Sequence, residues 1–229
     1  YPKEVTIRSY KPNESVHLGQ IKKAVGILKK AKKPLFLVGG GVNISGANAG
    51  MTKLVEQSGV PIITTIMGKG AVPSTHPLYM GNIGIHGSYA ANHAVSECDV
   101  LFSIGTRFND RITGKISEFA PHAKIIHIDI DSASISKNIV VDIPIVADAK
   151  LAIEALLDTV PKLSIAPWVD QVTQWKEQYP INMDRYEGLT PEKVICYINE
   201  HFDKTIVTTD VGQNQLWTTQ YLDIESNRQ

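Results

Sequence analysis

The 229-residue chain has only two cysteines, Cys98 and Cys196, far apart and in no metal-binding spacing. The expectation is a reducing, cytoplasmic setting with both thiols inert; nothing supports a Cys98–Cys196 disulfide. Charge of one sign is not in excess either, since 23 basic residues balance 23 acidic ones. No overall field therefore draws the chain to nucleic acid or to a membrane surface. No apolar run approaches the roughly 18 residues of a spanning helix. The opening stretch, YPKEVTIRSYKPNES, lacks the basic-then-apolar layout of a signal peptide. Also missing are GxGxxG, GxSxG, HExxH and any Cys/His cluster. Their absence excludes the ordinary dinucleotide fingerprint, the nucleophile elbow and the zinc-protease helix.

What is present is ordinary in amount, 43% apolar and 20% charged, but regular in pattern. Residues 1–17 read as an extended lead-in. An amphipathic helix is predicted over about His17–Ala31, with Ile21, Ala24, Val25, Ile27 and Leu28 at helical spacing. Lys29, Lys30, Lys32 and Lys33 at its end suit a solvated helix terminus better than a nucleic-acid patch. There follow strand Pro34–Val38, the turn Gly39–Gly46, a helix near Ala47–Ser58, strand Val60–Thr64, and a Gly/Pro-rich loop Met67–Gly81. Next come GNIGIHG at Gly81–Gly87, a helix near Ser88–Glu97, strand Val100–Ile104, a short helix, strand Lys124–Ile130, strand Ile143–Val146 and a helix near Ala149–Val160. Strand and helix alternate with short connections, which predicts a doubly wound parallel α/β sheet over residues 15–160.

Residues 161–167, PKLSIAP, read as a linker. Beyond it are predicted a helix around Trp168–Gln178, a helix at Pro191–His201 started by Thr190 and Pro191, and a strand at Thr205–Thr209. Residues 168–229 thus look like the beginning of an incomplete second α/β domain. The chain as given reads as a fragment of a longer protein; a complete small protein with frayed ends is the alternative.

Chemistry gathers at predicted strand ends, the edge where open α/β sheets bind ligands. After PLFLV come Gly39, Gly40 and Gly41, which allow close backbone approach or simply a tight turn. Three glycines surround His86, suiting a flat ligand or a structural histidine. After Val100–Ile104 comes RFNDR, with Arg107, Asn109, Asp110 and Arg111. Its two arginines are planar forks for phosphate or carboxylate, or else half of a surface ion-pair cluster. KIIHIDI ends in Asp129, Ile130 and Asp131, placed to accept from ribose hydroxyls or to cap the next segment. Val211, Gly212, Gln213 and Asn214 follow the last predicted strand and either meet a phosphate at a helix start or form a plain cap. Together these features favour one extended, nucleotide-like ligand.

RFNDRITGK, KIIHIDIDSASISKN, DIPIVAD and TTDVGQNQLWTTQY together resemble the large subunit of acetohydroxyacid (acetolactate) synthase, a thiamine-diphosphate-dependent family. The resemblance is collinear over essentially the whole chain. It implies a central FAD-binding domain at 15–160, preceded at 1–14 by the exit from an N-terminal domain. The start of the thiamine-diphosphate-binding domain would lie at 168–229. Implied flavin contacts are Gly39, Gly40, Gly41, Thr65, Ile66, Met67, Gly84, Ile85, His86, Gly87, Gly105, Arg107, Asp129, Ile130 and Asp148. Val211, Gly212, Gln213 and Asn214 match the start of the thiamine-diphosphate site, and Arg111 the arginine for the carboxylate of a second 2-ketoacid. Ile85, Asn109 and Asn214 depart from the family's usual Met, Asp and His.

The glutamate that activates thiamine and the GDG…N motif that holds Mg²⁺ are not in this sequence, so the fragment alone is expected to be inactive. For the full enzyme the resemblance implies decarboxylation of pyruvate and its condensation with a second 2-ketoacid, on the route to branched-chain amino acids. It also implies a homo-oligomer (dimer or tetramer) and a regulatory small subunit. The competing readings are a FAD-free catabolic relative or other thiamine carboligase, and a flavin- or NAD-binding module without carboligase chemistry.

Overall fold

The run Pro34–Val38 is buried at every position, and so is Val100–Ile104. These two strands stand side by side at the centre of the sheet, as continuous apolar runs do when helices cover both faces. In the computed structural model, which describes residue 13 and residues 15–202 and 206–225, the strands are β1 (Pro34–Val38), β2 (Ile62–Thr64), β3 (Tyr79–Asn82), β4 (Val100–Ile104), β5 (Lys124–Asp129) and β6 (Ile143–Val146). Their order is β3-β2-β1-β4-β5-β6, parallel throughout. The helices are α1 (Leu18–Leu28), α2 (Gly40–Ile44), α3 (Asn48–Ser58), α4 (Tyr89–Glu97), α5 (Asp110–Thr113), α6 (Ala149–Leu157), α7 (Ala166–Gln178), α8 (Pro191–His201) and α9 (Gln213–Tyr221). The doubly wound α/β expectation holds.

The chain winds outward from β1 to β3, then returns to β4 and winds the other way. With right-handed crossovers, that reversal sends the two sets of helices to opposite faces. Accordingly α6 touches both α1 and α3, while α4 packs on α7. Across the centre, Phe36 on β1 lies beside Ile62 and Phe102. The Phe36 and Phe102 rings meet edge to face at 5.6 Å.

Helix starts follow local chemistry. The Ser88 hydroxyl accepts from the Ala91 N–H at 3.1 Å, and the Asp148 carboxylate from the N–H groups of Lys150 and Leu151. Thr190 does the same for Lys193, ahead of Pro191 in the first turn. Both cysteines are free; Cys98 is buried, and burial pushes its thiol up to about 12. No helix among the described residues is long and apolar enough to cross a membrane.

Several expectations are corrected. The turn at Gly39–Gly46 contains the short helix α2. The loop Met67–Gly81 contains a 3-10 turn, Ile66–Gly68, and leads into β3, whose YMGN sequence lacks the apolar run of the central strands. No strand forms over residues 206–209, because no neighbour there offers a ladder, and Thr205 lies outside the described residues. The extended lead-in over 1–14 also lies outside them, except for residue 13. The segment 161–167 is held in place rather than free: the Leu163 N–H donates to Ser58 O at 3.0 Å. Pro167 lies in the first turn of α7, and Trp168 and Val172 are buried in the main core. The Trp168 indole N–H donates to Pro34 O at 2.9 Å. The division at 161–167 therefore crosses a packed contact.

Candidate functional site

The strand order reverses between β1 and β4, and in open α/β sheets ligands bind beyond the carboxyl ends at that point. There the loops after the two strands are sewn together. Gly39 N–H donates to Ile104 O at 2.9 Å, Gly105 N–H to Ile128 O at 2.8 Å, and Gly41 N–H to Gly105 O at 3.1 Å. A Cβ on Gly39 would lie 2.2 Å from Gly105 O, and one on Gly41 would lie 2.7 Å from Gly105 Cα. The missing side chains thus serve loop-on-loop contact first. This closeness is what opens a floor beneath the sheet edge.

Above that floor is a cavity of about 970 Å³, at the upper end of small-molecule sites. Of the residues singled out in the sequence, Gly40, Gly41, Thr65, Ile66, Met67, Ile85, His86, Gly105, Arg107, Arg111, Asp129, Ile130 and Asp148 line it. Gly39, Gly84 and Gly87 do not; they support the wall from behind. A Cβ on Gly84 (φ +112°) would lie 2.6 Å from Arg111 O, and one on Gly87 would lie 2.3 Å from Asn82 O. Val211, Gly212, Gln213 and Asn214 lie exposed at the start of α9, outside the cavity. What reaches it from α9 is Gln215, Leu216 and Thr219, which sequence reasoning missed.

The charged groups are arranged for an anion beside hydroxyls. Arg107 and Arg111 are exposed, and neither forms an ion pair among the described residues. The ion-pair-cluster alternative for RFNDR is thereby set aside. Asp129 is buried at the tip of β5, one carboxylate oxygen accepting from the Asp131 N–H at 2.9 Å. Asp131 caps the following turn and Asp148 caps α6. The capping alternative therefore holds for Asp131, and Asp148 combines a cap with a place in the wall.

Part of the lining is apolar and open to solvent: Ile44, Met67 and Ile85 are 82%, 70% and 76% exposed. Such a group of exposed apolar side chains suits a flat aromatic ligand. Its backbone is strapped from outside. Asn43 donates to Met67 O at 2.8 Å and to Lys69 O at 3.0 Å, and Asn48 to Gly70 O at 2.8 Å. Asn92 holds both the N–H and the carbonyl of Gly84. Asn82, another missed lining residue, joins a buried network with Thr64 and Tyr79. Burial pushes the Tyr79 phenol up to about 12. Such asparagines are invisible to motif reading, because their partners are distant backbone atoms.

On the far side of Met67, the Lys69 ammonium donates to Thr219 O at 2.6 Å and ties α9 to the body. Burial lowers its pKa to about 8, partly offset by Asp223. Among the described residues no group of three or more His, Cys, Asp or Glu could hold a metal ion. The donor set fits an extended ligand with anionic, hydroxylated and flat aromatic parts, as a flavin dinucleotide has.

The family model described as "Thiamine pyrophosphate enzyme, central domain" matches residues 21–156. The chain is 43% identical to a "Probable acetolactate synthase large subunit" of Methanococcus aeolicus, over 99% of this chain and 41% of that protein. It is 45% identical to the protein of the same description from Methanocaldococcus jannaschii, over 96% of this chain and 39% of the relative. Against the "Acetolactate synthase isozyme 3 large subunit" of Escherichia coli the identity is 37%, over 100% of this chain and 41% of the relative. The chain spans about two fifths of the length of these curated relatives.

Proposed function

The chain belongs to the thiamine pyrophosphate enzymes, with residues 21–156 matching their central domain, and we propose that it is part of an acetolactate synthase large subunit whose central cavity holds FAD. The observation that carries this reading is the cavity at the β1/β4 reversal. It is lined by Arg107 and Arg111, which form no ion pair among the described residues, by the buried Asp129 and by apolar side chains. In this reading 15–160 is the flavin domain, and 168–229 begins the thiamine-diphosphate domain.

Arg107 meets the flavin nucleotide's diphosphate with a charge-assisted fork. Asp129 and Asp148 accept from hydroxyls, and Ile66, Met67, Ile85, Ile130 and His86 lie against flat parts of the ligand. Arg111 receives the carboxylate of the second 2-ketoacid and orients it. Thiamine diphosphate, when bound, supplies the carbanion stabilisation for joining pyruvate to that ketoacid. Val211–Asn214 approach its diphosphate, and Mg²⁺ is held by ligands outside this sequence. The product is acetolactate or acetohydroxybutyrate. The working form is a cytoplasmic homo-oligomer with a regulatory small subunit.

The test uses the longer protein that contains this chain. Purified, it is expected to be yellow and to release flavin on denaturation; a colourless, active enzyme would remove FAD from the proposal. Arg111→Ala should lower kcat/KM for the second ketoacid roughly 10- to 100-fold, the loss of one charged hydrogen bond. Its thermal unfolding should stay unchanged. Equal loss of soluble protein and activity would refute the role of Arg111.

A further inference from the structure

His127 lies on β5 directly beneath the turn that carries Arg107, and it is fully buried. Its Nε2 is 2.8 Å from Thr106 O. A carbonyl can only accept, so Nε2 carries the proton. Asp129 Oδ2, 3.8 Å from the same nitrogen, favours the same tautomer. Among the described residues the other nitrogen, Nδ1, has no hydrogen-bond partner; nor has the hydroxyl of Ser103, the residue beside His127 in register on β4. Unsatisfied buried groups in one row of a sheet call for an explanation.

The turn above is unusual. Gly105 has φ +64°, and Phe108, a bulky residue, has φ +49°. That region is disfavoured for an aromatic side chain and persists only where the surroundings over-determine it. Two side chains do so. From inside, the His127 ring packs edge-on against Phe108 at 4.9 Å, with Phe119 on the far side of Phe108 at 5.9 Å. From outside, the Asn138 amide donates to both Arg107 O, at 3.1 Å, and Phe108 O, at 3.0 Å. Thr106, Arg107 and Phe108 therefore each have their carbonyl held by a side chain from outside the turn.

We propose that His127 and Asn138 are positioning residues that clamp the Gly105–Asn109 turn between them and so aim Arg107 into the cavity. The inference rests on the flavin reading of that cavity. Neither side chain lines the cavity, so each acts through the backbone of the turn.

The experiment measures FAD affinity by calorimetry and bound-flavin fluorescence on the longer protein, with thermal unfolding of each variant alongside. His127→Leu keeps volume but removes the donor, and should weaken FAD about tenfold. His127→Gln offers an amide N–H near the place of Nε2 and should stay within about twofold of wild type. Asn138→Leu changes an exposed residue, carries no folding risk from the core, and should also weaken FAD about tenfold. Wild-type affinity in Asn138→Leu, or Gln no better than Leu at position 127, overturns the clamp. If wild type binds no FAD, the flavin reading of the cavity fails, and this inference fails with it.

Discussion

The loops at the carboxyl ends of β1 and β4 and the α8–α9 segment both border the cavity, but they are held by different forces. At the strand ends, glycine backbone lies on glycine backbone, the neighbouring strands are fully buried, and the loop after β1 donates to the end of β4, whose Gly105 donates in turn to β5. In α8 only Ile195 is buried, and in α9 no residue is. The second region is tied to the segments after β2 and β3 by polar contacts: Lys69 to Thr219 O, Gln220 to His86 O, and the Ser74 N–H to Ile224 O. One wall of the cavity is thus part of the core, and the other is a latch. Regions with few buried contacts open at lower free energy than the core, so the cavity has a rigid floor and a wall that opens more easily.

The comparison breaks most decisively at Trp168. It belongs to the core although it follows the expected linker, and Trp168→Ala should destabilise the whole body by about 3–5 kcal/mol in denaturant unfolding. A change confined to α7 would show that α7 is not part of that body. Next is Gly105→Ala, which sets a Cβ 2.7 Å from Gly41 Cα at a positive φ. About 3 kcal/mol is expected, a lowering of Tm by roughly 6–12 °C. An unchanged Tm would mean that the loops can separate without cost.

Smaller is the effect of Lys69→Met on the latch. α9 amides should exchange roughly tenfold faster, the loss of one charged hydrogen bond, with β1 and β4 protection unchanged. Smallest is the pH dependence of the floor. Burial lowers the pKa of His127, so its stabilising contribution is full above the unfolded value near 6.5. That contribution is lost as pH falls through 6.5 and levels off below the folded value. His76, lowered by the same cause, acts with the same sign. Unfolding of His127→Gln should therefore show a shallower loss of stability between pH 7 and 5 than wild type.

Much of this was legible before any tertiary structure. Alternating apolar runs and amphipathic stretches announced the parallel sheet, and β1, β4 and β6 lie where expected because each is a short apolar run between turn residues. The strand ends carrying Arg107, Arg111 and Asp129 were identifiable for the same reason. The strand β3 was missed because YMGN is short and glycine-broken, and residues 206–209 were over-read because a β-like composition does not supply a neighbour.

By itself the sequence determined the alternation of elements, and through it the edge of the sheet on which the charged residues gather, since periodicity and turn chemistry are local. Only the tertiary structure decided the reversal between β1 and β4 and the glycine contacts that close the loops there. It alone placed Ile44, Asn82, Leu216 and Thr219 at the cavity and His127 and Asn138 around the Arg107 turn. Those are contacts between residues distant in the chain, and no local pattern encodes which strand will stand beside which.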